Sequence, residues 1–281
     1  MTHKAAEFGL KFDNLTYDWS AVVGRSRKVA DRLAGGIEFL FKKNKVDYFR
    51  GVGSVEGTGK VSVLATDGSS TVHDCTDILV ATGCKARGLP PLPFNGKSVI
   101  SSKEAMNLTE QPKEMLIIGA GAIGVEFAYI YNAYGTKVTL IEMAPRILPV
   151  KDDEVGEALE KSLIKQGIRC LTNTKITAMV DKGTHVELTV EGPKENGVLS
   201  AEVCLVAIGI QPVLPGGKEL ELDRGYIQVG DRYQTSIPGV YAAGDITGPP
   251  WLAHVASFEA VQCVEGLYVE GYKPRDRKSV V

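Results

Sequence analysis

One hexapeptide restricts this chain more than any other stretch: Gly119, Ala120, Gly121, Ala122, Ile123 and Gly124, set between the apolar run MLII and a helical pattern. A strand that enters such a turn and leaves as a helix needs each glycine for a different reason. The first permits a tight turn, the second lets backbone approach a pyrophosphate, and the third lets helix and strand pack closely. Backbone N–H groups at the positive end of the helix then face the phosphates. The acid that completes this pattern is Glu142, at the end of KVTLIE and eighteen residues beyond Gly124. A carboxylate there accepts from ribose hydroxyls and repels a 2′-phosphate, which favours NAD over NADP. Arg146, four residues on, would soften that preference.

The surrounding pattern supports an α/β domain. Strands are expected at Met115–Ile118, Lys137–Ile141 and Ile168–Leu171, with helices at Val125–Tyr134 and Asp152–Gln166. Ile176–Val180 and His185–Val190 are expected to pair, and Ala201–Ile208 to close the domain as one buried strand. Upstream, helical spacing runs from Trp19 to Lys43, with Gly35-Gly36 as an interruption. Short β segments follow at Val46–Phe49, Val52–Val55, Lys60–Ala65 and Ser70–Asp74, spaced as an antiparallel meander. Asp77–Gly83 is apolar without alternation, as in a parallel strand covered on both faces. Prolines 90, 91 and 93 open an expected linker that reaches Pro112. A last strand, Val240–Asp245, precedes a helix over Leu252–Val269.

Length and charge narrow the function. At roughly 150 residues per domain, 281 residues suggest about two domains. A net charge of −2 supplies no basic field, so no nucleic acid or anionic membrane partner is expected. No apolar run approaches the length of a membrane span, and MTHKAAEFGL lacks the core of a signal peptide, so the cytoplasm is the expected location. The five cysteines are scattered and are expected to be buried thiols. His3, His73, His185 and His254 are isolated, and no metal-ligand spacing is present. The PRDRK run is expected to be a solvated loop.

Several positions leave alternatives open. Asp245 ends a buried strand, where its charge needs a partner: a sugar or sugar-alcohol hydroxyl, or the N-terminus of a helix it caps. His254 either lines a ring system or is a packed histidine at a helix start. Glu126 either faces the nicotinamide or is a surface charge.

Taken in order, GAGAIGVEFA, IEMAPRILPVKDDE, ILVATG, VAIGIQP, TSIPGVYAAGD and WLAHVASFEA resemble the flavoprotein disulfide reductases, and among them the dihydrolipoyl dehydrogenases. The resemblance covers nearly the whole chain. It implies two Rossmann-like FAD/NAD(P)-binding domains of the three-layer ββα type, with an NAD domain (112–238) inserted in an incomplete FAD domain (1–111 and 239–281). It implies that Gly119–Gly124 hold the NAD pyrophosphate and Glu142 the adenosine ribose. Glu126 would lie near the nicotinamide, and Ile176 and Gly209 would line the NAD cleft. Gly53 and Ala81, Thr82 and Gly83 would contact FAD. Asp245 would bind the ribityl chain, and Leu252, Ala253 and His254 would lie along the isoalloxazine.

The resemblance further implies a reaction in which protein-bound dihydrolipoamide is oxidised, with electrons passing through FAD to NAD. It implies a homodimer serving a 2-oxo acid dehydrogenase or glycine cleavage complex. Other members act as mercuric or glutathione reductases, and a non-catalytic dinucleotide-binding protein is a further alternative. The chain departs from the family pattern in lacking the first FAD glycine turn, the CxxxxC redox pair and the terminal dimerisation domain with its His–Glu base. It therefore resembles an internal fragment with no catalytic residue of its own, and lipoamide turnover by it alone is not expected. Ile210 replaces a common Arg, and Trp251 a common Met. Without a neighbouring strand, ILVATG and GVYAAGD are expected to stand as exposed apolar edges.

Overall fold

The computed structural model describes residues 7, 9, 11, 13, 14 and 16–273. The first six residues, His3 among them, and the PRDRK run lie outside the described residues. The chain opens with α1 (Trp19–Lys43) and continues through β1 (Val52–Gly57), β2 (Lys60–Leu64), β3 (Ser70–Asp74), β4 (Ile78–Val80) and β5 (Cys84–Ala86). Next come β6 (Val99–Ile100), α2 (Ser102–Ala105), β7 (Glu114–Ile118), α3 (Ala122–Ala133), β8 (Lys137–Ile141), α4 (Asp153–Lys165) and β9 (Arg169–Leu171). Strands β10 (Lys175–Asp181), β11 (Val186–Glu191), β12 (Asn196–Ala201) and β13 (Val203–Val206) follow. The remainder holds β14 (Ile210–Pro212), β15 (Gly216–Gly217), β16 (Leu222–Asp223), β17 (Tyr226–Ile227), β18 (Val240–Ala242) and α5 (Ala253–Tyr268).

These elements sort into two compact units. The first joins the segment ending at Lys43 to Leu89–Ala207; the second joins Asn44–Gly88 to the segment from Ile208 onward. The observed divisions thus fall at 43/44, 88/89 and 207/208, where the sequence suggested 111/112 and 238/239.

The first unit is built on a parallel sheet of order β6-β13-β7-β8-β9. Its central strands are apolar without alternation because both faces are covered: Met115 to Ile118 and Val203 to Val206 are all buried. Helix α3 follows β7 and buries Gly124, Phe127, Ala128 and Tyr131, the i, i+3, i+4, i+7 face that helical periodicity requires. Its core also takes in the start of α1. Trp19 packs against Tyr131 and Tyr134 at ring separations of 5.1 and 5.3 Å, and its indole N–H donates to Leu108 O at 2.7 Å. Tyr17 OH donates to Tyr134 O beside them. A separate antiparallel sheet, β10-β11-β12, completes the unit.

The second unit carries the meander β1-β2-β3 with β15 parallel along β1. Strands β4 and β18 pair in parallel. Val55, Ile78, Val80, Val240, Ala242, Ile227 and Ile246 form its core.

Some expectations do not hold. Val46–Phe49 is not a strand; its side chains are exposed and the meander begins only at Val52. The expected linker contains β6 and α2, because Ser101 and Glu104 form a reciprocal capping box and Val99 and Ile100 join the sheet beside β13. Ala201–Ile208 is two strands in two sheets, β12 ending at Ala201 and β13 starting at Val203. Gly35-Gly36 does not interrupt α1, since an exposed glycine pair costs helix stability without forbidding the conformation. Leu79 is 38% exposed, so β4 is covered on one face only. Nor is GVYAAGD an open edge. Ala242 N donates to Tyr233 O and Thr235 N to Val240 O, both at 2.9 Å, so the 230–235 turn covers β18 opposite β4.

Replacing Trp19 by Ala removes a ring packed on two tyrosines and a part-buried hydrogen bond. The expected loss is about 3 kcal/mol of unfolding free energy for the first unit, read by denaturant titration; an unchanged midpoint contradicts the packing described here.

Candidate functional site

The glycine turn lies at the carboxyl end of β7, with β8 on one side and β13 on the other. Chain connection proceeds from β7 through α3 to β8, whereas β13 arrives from elsewhere, so the end of β7 is a switch point of the sheet, where open α/β sheets bind ligands. Gly119 has φ +97°, a left-handed conformation that favours glycine, and its N–H is fixed to Ile141 O at 2.8 Å. Gly124 is required by space. A Cβ on it would stand 1.9 Å from Gly119 O.

Gly121 differs from both. Its φ is −70°, and a Cβ would meet nothing within 4 Å. It is the N-cap of α3, and no side chain caps the helix. The first N–H groups of a helix have no intrahelical acceptor. Those of α3 are left without a side-chain cap at the positive end of the helix dipole, beside the open space at Gly121.

Glu142 is half-buried and fixed on both carboxylate oxygens: Oε2 accepts from Ala120 N and Oε1 from Ala144 N, each at 2.8 Å. Its own backbone donates to Leu171 O and accepts from Thr174 N. Each carboxylate oxygen keeps a second lone pair for a further donor. The loop that follows returns to the turn, since Leu148 N donates to Ala120 O at 2.8 Å and Ile147 is fully buried. Arg146 does not face this space as a free cation: its guanidinium pairs with Asp153 Oδ1 at 2.5 Å. Glu126 is exposed on α3, and Ile176 is half-buried on β10.

The second unit gathers another group of the expected residues. Ala243 N donates to Val80 O, so Ala81–Gly83 and Ala243–Asp245 leave the carboxyl ends of two paired parallel strands. Thr82 Oγ1 donates to Val213 O, and Cys84 Sγ to Asp245 O at 3.3 Å. Gly83, at φ +65°, has open space where a side chain would go. Asp245 starts the 3₁₀ turn Asp245–Thr247, but the N-cap is Gly244 and no side-chain cap bond forms, so the capping role is not met. Leu252, Ala253 and His254 are exposed at the start of α5. Gly53 on β1 and Gly209 also meet open space.

Sequence reasoning missed Glu259. It is fully buried on α5 and its Oε2 accepts from Gly244 N at 2.7 Å, fixing the glycine that precedes Asp245. The signal was a lone acid in the apolar helix VASFEAVQCV. It also missed the return of Leu148 to Ala120, which nothing in the local pattern announces.

All five cysteines are free; Cys170, Cys204 and Cys263 are buried as expected, whereas Cys84 is half-buried and Cys75 is exposed. Burial pushes the thiols of Cys170 and Cys263 up to about 11 and that of Cys204 up to about 12. Cys75 and Cys84 are also raised, first by burial and then by neighbouring aspartates. No group of three or more His, Cys, Asp or Glu side chains among the described residues is arranged to hold a metal ion.

Residues 2–260 match a family model described as pyridine nucleotide-disulphide oxidoreductase. A dihydrolipoyl dehydrogenase of Chlorobaculum parvum is 40% identical over 268 residues, covering 93% of this chain and 57% of the relative. A mitochondrial dihydrolipoyl dehydrogenase of Pisum sativum is 38% identical, covering 94% of this chain and 54% of the relative. The crystal structure of LpdA from Mycobacterium tuberculosis superimposes with a TM-score of 0.87 at 25% identity, over 98% of this chain and 61% of that one. The chain thus spans little more than half the length of the curated relatives it matches.

The two glycines predict opposite behaviour. Gly124→Ala forces a backbone clash and lowers the thermal midpoint by several degrees, about 2 kcal/mol or more for an overpacked site. Gly121→Ala costs less, about 1 kcal/mol of unfolding free energy at most, because it only replaces a glycine N-cap. Equal effects of the two, measured by thermal unfolding, would count against the turn geometry.

Proposed function

Because the chain belongs to the pyridine nucleotide-disulphide oxidoreductases, we propose that its first unit binds NAD at the glycine turn and that it serves a dihydrolipoyl dehydrogenase type of reaction. The observation that carries this reading is the pairing of uncapped amides at Gly121 with a carboxylate fixed by two backbone N–H groups. The amides of α3 hold the diphosphate of the dinucleotide. Glu142 accepts from the adenosine ribose and, already committed on both oxygens to Ala120 and Ala144, cannot swing away from a 2′-phosphate. Repulsion therefore selects NAD over NADP. Glu126 and Ile176 are the proposed neighbours of the nicotinamide end.

The second unit is proposed to contribute part of an FAD site through Gly53, Ala81, Thr82, Gly83, Asp245, Leu252, Ala253 and His254. The open space at Gly83 and the absence of a hydrogen-bond partner for the Asp245 carboxylate among the described residues fit a polyhydroxyl ligand at the strand ends. When bound, these two cofactors supply hydride and electron transfer between a dithiol substrate and NAD. A homodimer, association with a 2-oxo acid dehydrogenase or glycine cleavage complex, and a cytoplasmic setting belong to the same proposal. No helix among the described residues is long and apolar enough to cross a membrane.

A second reading, a dinucleotide-binding protein without turnover of its own, is favoured by the thiols. All five are free and raised, so none is a ready thiolate nucleophile.

The test is titration of the protein with NADH, followed by nicotinamide fluorescence. Saturable binding is expected, and Gly121→Ala, which folds normally but fills the space over the amides, weakens it about tenfold or more. No saturable binding at millimolar NADH, or an unaffected Gly121→Ala variant, would sink the proposal. Dihydrolipoamide-dependent reduction of NAD then separates the enzyme from the binding protein.

A further inference from the structure

The connection from Glu142 to Leu148 is a short loop closed at both ends on one residue. Ala120 N donates to Glu142 Oε2, and Ala120 O accepts from Leu148 N, each at 2.8 Å. Arg146 lies in this loop, four residues beyond Glu142. Three observations describe its state. One terminal nitrogen is paired with Asp153 Oδ1 at 2.5 Å. Its Nε is buried and has no hydrogen-bond partner among the described residues. The base of the side chain rests on α4 at Gly156, where an added Cβ would lie 3.5 Å from Arg146 Cδ and 2.8 Å from Ile147 O. The guanidinium is thus drawn onto the first turn of α4 with its buried Nε–H unused.

We infer that Asp153 is a cofactor-specificity residue, acting by position: it withholds Arg146 from the adenosine 2′ position, so that Glu142 alone is presented there. The inference rests on the proposed NAD site. Its chemistry is specific. A 2′-phosphate offers several acceptor oxygens, and a guanidinium is the side chain best shaped to meet them in pairs. An arginine four residues beyond the selecting acid would therefore admit NADP if it were free. Asp153 makes that arginine unavailable while also favouring the positive end of α4. Discrimination then comes from two acids: one repels the phosphate, and the other removes the cation that would welcome it.

The experiment measures NADH and NADPH dissociation constants for the unaltered chain, Asp153→Asn, Asp152→Asn/Asp153→Asn, and Arg146→Ala/Asp153→Asn. The second variant is included because Asp152 adjoins Asp153 and can recapture the guanidinium. Thermal unfolding of each variant confirms that it is folded. The expected result is about tenfold tighter NADPH binding in Asp153→Asn or in the double asparagine variant, the scale of one charge-assisted hydrogen bond. NADH binding changes less than twofold, and Arg146→Ala cancels the gain. NADPH affinity unmoved in both folded variants overturns the inference, as does a gain that survives Arg146→Ala.

A measurement on the unaltered chain covers variants that do not fold. With Arg146 withheld, added salt does not weaken NADPH relative to NADH, because the 2′-phosphate meets no cation. Selective loss of NADPH binding with salt means that Arg146 is already engaged, and overturns the inference. Failure of NADH itself to bind removes the proposed site and the inference with it. Normal NADH binding with NADPH unmoved in the variants overturns the inference alone.

Discussion

The carboxylate of Glu142 ties together the glycine turn, the end of β8 and the loop that follows it. Through Ala120 N it fixes the glycine turn to the end of β8, and through Ala144 N it starts the loop that returns to Ala120 at Leu148. A charged acceptor held by two backbone donors is a strong local constraint. It keeps the first turn of α3 in register with the sheet and leaves the amides of that turn facing outward. The rest of the first unit serves this arrangement. The buried strands β7 and β13 hold the turn at a switch point, and Gly124 lets α3 approach closely enough for its N-terminus to be the nearest dipole.

Much of this was legible in the sequence because the signals were local. The glycine spacing, the apolar strand before it and the acid eighteen residues on are all readable along the chain, and α1, β8 and α4 fall where periodicity and end charges place them. Val46–Phe49 has β-type composition but no partner strand among the described residues, so pattern alone misleads there. In the proline-rich stretch, Ser101 and Glu104 cap a short helix that the prolines obscured. The pairing of Arg146 with Asp153 was also hidden, because it joins a loop to the next helix, and composition shows only an arginine near an acid.

The second unit was less legible, because its organisation depends on pairings of high sequence separation. β4 finds β18 across about 160 residues, and the far side of β18 is covered by a turn at 230–235. The apolar strings ILVATG and GVYAAGD advertise burial, but not which neighbours supply it. Glu259 makes the same point: one buried acid fixes Gly244, a long-range bond that no periodicity predicts.

The most direct test of the account concerns Glu142 as both brace and selector. NADH and NADPH affinities are compared in the unaltered protein and in Glu142→Gln, which keeps an acceptor for a backbone amide but loses the charge. The unaltered protein is expected to prefer NADH by about tenfold or more, and the variant to stay folded while the preference collapses. An unaltered protein indifferent to the 2′-phosphate, or a folded variant that discriminates as before, would contradict it.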